Sequence, residues 1–168
     1  MSFSKSSRLL AVIGMMAGPF VATSPAPTGE MASLRHDPRK VRLERYFDEK
    51  QCPVKPLAAD FVAAADRHRL DWRLLPSIAF VESSGGKAYH NNNIFGWRNG
   101  DHRFRSVKES IHKVAERLAN SEHYRNKPLE KVLHTYNPTP GYKERVLDVM
   151  DDLGPARASG PIQVSYHN

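Results

Sequence analysis

The chain has 168 residues and a formal net charge of +7, a length that suits one compact domain and is too short for two comfortable ones. Hydrophobic residues make up 40% and charged residues 26%, which excludes an intrinsically disordered chain. The single cysteine, Cys52, excludes an internal disulfide framework and a cysteine-based metal site. The positive charge suits an anionic partner: nucleic acid, a lipid surface or a polyanionic envelope polymer.

Met1 to Ala22 reads as an export signal, with Lys5 and Arg8 ahead of the apolar stretch Leu9 to Ala22. Gly14, Gly18 and Pro19 interrupt that stretch, which is short for a membrane span. An uncleaved N-terminal anchor is the second reading, and no stable span is expected once a signal is removed. The expected location is the periplasm, the cell envelope or the extracellular space. Residues 23–40, rich in Pro, Ser, Thr and Gly, predict a flexible linker.

A single mostly α domain is expected over 41–154, followed by a tail without periodicity over 155–168. Val41, Leu43, Tyr46 and Phe47 predict a short helix over 40–50. Leu57, Phe61, Ala64, Ala65 and His68 predict a second helix over about 56–70, with His68 read as a partly buried helix histidine. A third helix follows Asp71, its candidate N-cap, with Pro76 near the end of its first turn. Residues 89–105 predict a small hairpin: Ile94-Phe95-Gly96-Trp97 is a short apolar run and Asn99-Gly100 a strong turn signal. Ser106 and Glu109 have capping-box spacing ahead of the stripe Ile111, Val114, Ala115 and Leu118. Pro128 opens a short helix carrying Leu129, Val132, Leu133 and Tyr136. Thr139 as N-cap and Pro140 at the first position predict a last helix ending before Gly154.

The third helix carries the chemistry. Leu75, Ile78, Ala79 and Glu82 fall at i, i+3, i+4 and i+7, so Glu82 shares a face with apolar residues. Leu74, Phe80 and Val81 fill most of the other faces, and a helix apolar all round is a buried one. Ser83, Ser84, Gly85 and Gly86 stop it abruptly. Burial and the negative end of the helix dipole both disfavour an ionised carboxylate. Glu82 is therefore expected to stay protonated near neutral pH, as a general acid must.

Three motifs then stand in order: Glu82-Ser83, Asn92-Asn93-Ile94-Phe95-Gly96, and Tyr136, Pro140 and Tyr142. Together they resemble the glucosaminidases of glycoside hydrolase family 73 (the mannosyl-glycoprotein endo-β-N-acetylglucosaminidase-like domain), within the lysozyme-like superfamily. The resemblance covers about Ala58 to Leu153 and implies a lysozyme-like helical domain with one small β-hairpin. It implies cleavage of a β-1,4 bond between N-acetylglucosamine and N-acetylmuramic acid in peptidoglycan, with Glu82 protonating the departing oxygen. Tyr136 carries over as the active-site tyrosine, orienting the substrate or stabilising positive charge at the reacting carbon. Asn92, Asn93 and Phe95 belong to the substrate-binding turn, and Trp97 and Tyr142 offer faces for sugar rings; Trp97 leads, since Tyr142 equally suits anchoring the last helix. Asn92 and Asn93 also suit a purely turn-building role.

Family members commonly carry a second carboxylate in a longer β-rich insert. Here the insert has shrunk to the hairpin, and Asp101 is its only acid, leaving Asp101 a supporting catalytic role. Attack by the substrate's own 2-acetamido group, or by a muramic 6-hydroxyl as in lytic transglycosylases, would need no second protein carboxylate. A wall-binding module without catalysis is a further reading. Arg98, His102, Arg103 and Arg105 around Phe104 form a basic-aromatic patch that suits nucleic acid, but the export signal argues against that partner. No metal site, cofactor or stable oligomer is expected: the histidines are scattered, and neither a His-Glu-x-x-His pattern nor a glycine-rich phosphate loop occurs.

Overall fold

The computed structural model describes residues 37–156. The predicted export signal or anchor, most of the predicted linker and all but the first two residues of the predicted tail lie outside the described residues. Among the described residues the chain is mostly helical, with six α-helices. These are α1 (Pro38–Glu49), α2 (Ala58–His68), α3 (Leu74–Ser83), α4 (Val107–Asn120), α5 (Leu129–Tyr136) and α6 (Tyr142–Leu153), with a single 3-10 turn, Lys55–Leu57, ahead of α2.

The first helix begins earlier than the hydrophobic pattern suggests, because Asp37 caps it by accepting from the Arg39 amide at 2.8 Å. The Arg39 guanidinium bridges Asp37 and Asp66 at 2.7 and 2.6 Å, tying α1 to α2. The second helix stops where Arg69 turns left-handed, φ 54°.

The third helix is the centre of the molecule. Leu74, Leu75, Pro76, Ser77, Ile78 and Ala79 are all buried on it. They sit in one core with Phe47, Phe61, Ile94, Phe95, Ile111, Leu133 and Met150. The helix packs on α6, while α2 packs on α4 and α5 on α6. Asp71 does not cap α3. It closes the preceding turn by accepting from the Arg73 amide at 3.0 Å, and Arg73 occupies the cap position. The Arg73 side chain is needed elsewhere: it donates to the Gly154 carbonyl at 2.9 Å, capping the negative end of α6 with a cation. Trp72 holds the chain just beyond α6: its indole N–H donates to the Ala156 carbonyl at 2.9 Å.

Ser84 makes the left-handed exit from α3 at φ 51°, ahead of Gly85 at φ 67° and Gly86 at φ 87°. Gly85 has a second reason to lack a side chain: its Cα lies against the Cys52 thiol, where a Cβ would collide with Sγ. Ser83 steadies the stop by donating to the Ala79 carbonyl at 2.9 Å and accepting from the Gly86 amide at 3.1 Å.

Residues 89–105 form a run of turns, and the predicted β-hairpin is not seen: no strand forms among the described residues. Asn91, Asn92, Arg98 and Asn99 all take positive φ, between 53° and 56°, a conformation that bends the chain away from the extended form. In place of a ladder, the Phe104 amide donates to the Asn91 carbonyl at 2.9 Å, and the Asn92 side chain donates to the Phe104 carbonyl at 3.0 Å. The following helix starts as its sequence predicts. Ser106 accepts from the Glu109 amide at 3.0 Å, and Glu109 reaches back to the Arg105 amide at 2.6 Å. The last helix departs from expectation at its start: Gly141, with φ 78°, holds the cap position, and Tyr142 begins the helix.

Candidate active site

Glu82 occupies the penultimate position of α3, half-buried, on the floor of a cavity of about 520 Å³. The turn segment supplies one wall through Asn93, Gly96 and Asn99. The end of α5 and the loop after it supply the other through Tyr136, Asn137 and Thr139. Tyr89 and His90, just beyond the end of α3, stand at the mouth. Glu82 is the only carboxylate in this lining.

The carboxyl lies against Gly96. A Cβ at that position would stand 2.6 Å from Glu82 Oε2 and 3.3 Å from Cδ, and Gly96 itself has φ 60°. The glycine is thus required twice, by the turn and by the acid. Asn93 builds the turn. Its Oδ1 accepts from the Trp97 amide at 3.0 Å and its Nδ2 donates to the Trp97 carbonyl at 2.9 Å. The residue is buried, and its amide bonds to backbone through both ends while the residue lines the cavity.

Burial is the largest influence on Glu82 and pushes its proton affinity above the ordinary carboxylate value of 4.5. Three groups oppose it: the Tyr142 hydroxyl, the Asn137 amide and, at longer range, the Arg145 guanidinium. Asn137 is held for this role, since its Oδ1 accepts from the Thr139 amide at 3.0 Å and its Nδ2 is left to face the acid. Tyr142 is buried, and its hydroxyl has no well-aligned hydrogen bond, although it lies close enough to Glu82 for each to shift the other's titration. Burial and the facing carboxylate hold the Tyr142 phenol far above its ordinary range, so it stays protonated.

Tyr136 joins the two walls. Its hydroxyl donates to the Phe95 carbonyl at 2.6 Å. Its ring stacks on Tyr142 with centroids 6.1 Å apart and planes 7° from parallel. Burial, with Tyr142 and Glu82 nearby, raises its phenol well above 10. Arg145 lies over the Tyr142 ring, 5.9 Å from its centroid.

The predicted site residues therefore divide. Glu82, Asn93, Tyr136 and Tyr142 come together, and Trp97 adjoins them with its ring 5.6 Å from Tyr136. The roles of four residues need correction. Phe95 contributes its carbonyl to Tyr136, but its ring is fully buried against Phe61 and offers no surface to a substrate. Tyr142 is 1% exposed, so no sugar can stack on it, and only its hydroxyl reaches the acid. Asn92 commits its amide to the Phe104 carbonyl and does not line the cavity. Asp101 is exposed and likewise absent from the lining.

The sequence resembles lytic transglycosylases in its Tyr136-Asn137 pair but gave Asn137 no site role, and the contact between Gly96 and Glu82 escaped it. The only available signals were the adjacency of Asn137 to Tyr136 and the glycine that ends the Asn-Asn motif. Among the described residues there is no group of three or more metal-ligating side chains, and no helix is long and apolar enough to cross a membrane. Comparison with protein-family models, with curated proteins and with solved structures gave no match.

Proposed function

We propose that this chain is an exported glycosidase of lysozyme-like fold that cleaves a β-1,4 bond between N-acetylglucosamine and N-acetylmuramic acid in peptidoglycan, with Glu82 as general acid. The observation that carries this reading is a lone, half-buried carboxyl with raised proton affinity on the floor of an open cavity. An alkoxide is a poor leaving group, and a positioned proton donor lowers the barrier to an oxocarbenium-like transition state.

Proton transfer leaves Glu82 as a half-buried carboxylate, which needs stabilisation in its turn. The Asn137 amide and the Tyr142 hydroxyl supply donors beside it, and Arg145 supplies positive charge. Burial keeps the proton on before reaction, and these groups accept the charge afterwards. The Tyr136 proton is committed to the Phe95 carbonyl, which leaves its oxygen only an acceptor's role, one suited to a carbon gaining positive charge. Tyr89, 45% exposed at the mouth, is an aromatic surface on which a sugar ring can stack.

A second reading, a lytic transglycosylase that leaves an anhydro product, draws support from the same lining. With no second carboxylate facing Glu82 across the cavity, the nucleophile is best supplied by the substrate, either its 2-acetamido group or a muramic 6-hydroxyl. Mass spectrometry of muropeptides released from purified sacculi tests both. A reducing end identifies hydrolysis, an anhydro end identifies the transglycosylase, and the absence of soluble product defeats the enzymatic reading.

A further inference from the structure

Beyond Gly96 and Tyr136 the Glu82 cavity adjoins a second hollow of about 500 Å³, sharing those two residues and Asn99 as its divide. One wall is aromatic: the Trp97 ring lies 6.2 Å from that of Tyr124, and both lie within 6.4 Å of Tyr136. The rim is cationic, with Arg98, Lys113 and Arg117 in the lining and no carboxylate among it. Lys113 shares its charge with Glu116 at 2.9 Å. Arg98 and Arg117 are exposed, and neither forms an ion pair among the described residues. They converge from separate elements: Arg117 stands near the end of α4, and Arg98 at the tip of a tight turn with φ 53°.

We propose that this hollow is a subsite for the sugar that bears the peptide, with Arg98 and Arg117 pairing carboxylates of the peptide and Trp97 and Tyr124 facing the ring. The inference rests on the glycosidase reading of the Glu82 cavity and adds to it a preference for peptide-substituted strands. Guanidinium groups match carboxylates in charge and in planar geometry. Aromatic faces suit the C–H faces of a sugar. The cleft is thus electrically divided, with the proton donor in one half and a lining of basic side chains without a carboxylate in the other.

The test is equilibrium binding by the full chain carrying Glu82→Gln, which prevents turnover. Two soluble glycan strands of equal length are compared, one with its peptides and one stripped of them by amide hydrolysis. The peptide-bearing strand is expected to bind about tenfold more tightly at low salt. That ratio should fall toward one in about 0.5 M salt and when Arg98→Ala and Arg117→Ala are added. Circular dichroism checks that the added substitutions leave the fold intact. Should they not, Arg98→Gln and Arg117→Gln singly must each lower the ratio. Equal affinity for the two strands overturns the inference and leaves the glycosidase reading standing. No affinity for either strand overturns both. Tighter binding of a single-stranded oligonucleotide than of the peptide-bearing strand assigns the hollow to nucleic acid and overturns the inference as well.

Discussion

The carboxyl of Glu82 rests on the backbone of Gly96, so closely that a single added methyl group would stand 2.6 Å from Oε2. The end of α3 and the turn segment are fitted to each other at this point. The acid is positioned by a residue that has no side chain.

Gly96→Ala therefore carries two penalties, and a control separates them. An alanine at φ 60° is strained by roughly 1 kcal/mol, and its Cβ also displaces the acid. Gly141→Ala shares the strain at φ 78°, but its Cβ meets only Arg145 Nη1 at 3.6 Å. Both variants are expected to melt several degrees below the parent. Gly96→Ala should in addition lose about a hundredfold in muralytic rate, because a small misplacement of the acid is enough to do so. Equal rates for the two variants would separate Gly96 from the chemistry.

The raised proton affinity of Glu82 has a signature in stability as well as rate. A carboxyl that holds its proton more tightly when folded contributes stability below the unfolded value, 4.5, and loses it as pH rises through the higher folded value. Denaturation of Glu82→Gln should accordingly gain on the parent as pH rises across that window. Activity should fall over the same window as the acid ionises. Asn137→Ala removes a donor that favours the carboxylate, so the alkaline limb of its rate profile should move to higher pH. A limb that stays in place or moves down would contradict the role given to Asn137.

Tyr136→Phe deletes the donor to the Phe95 carbonyl while keeping the stacked ring. Leaving a sheltered carbonyl unpaired costs about 1–3 kcal/mol, to be read as a lower melting temperature. The turn that carries Gly96 is loosened by the same change. The expected result is a fall in kcat well beyond any rise in KM, and a variant as active as the parent would reduce Tyr136 to a structural residue.

The helices were legible because their physics is local. Apolar residues recur at helical spacing on α2, α4 and α6, and the Ser-Ser-Gly-Gly stop after Glu82 is written in the chain. The segment 89–105 was not legible in the same way. Asn99-Gly100 is a hairpin signal only if extended runs flank it, and the left-handed conformations of Asn91, Asn92 and Arg98 ahead of it prevent that. An aromatic residue in a motif reads the same whether it faces in or out, so Phe95 passed for a binding residue although it is in the core, and of the two readings open for Tyr142, sugar face or anchor of the last helix, its burial fits the anchor. Asn137 gains its role from the meeting of the ends of α3 and α5, a relation no spacing encodes. The start of α6 misled for a simpler reason: Pro140 suits a first helical turn, but Gly141 takes a positive φ and delays the helix to Tyr142.

Release of soluble muropeptides from purified sacculi by the parent chain and by Glu82→Gln, with circular dichroism of both, bears most directly on the assignment of Glu82 as the acid. The parent is expected to release product, and the variant, equally folded, to release it at least a hundredfold more slowly. Equal release by the two would contradict the assignment.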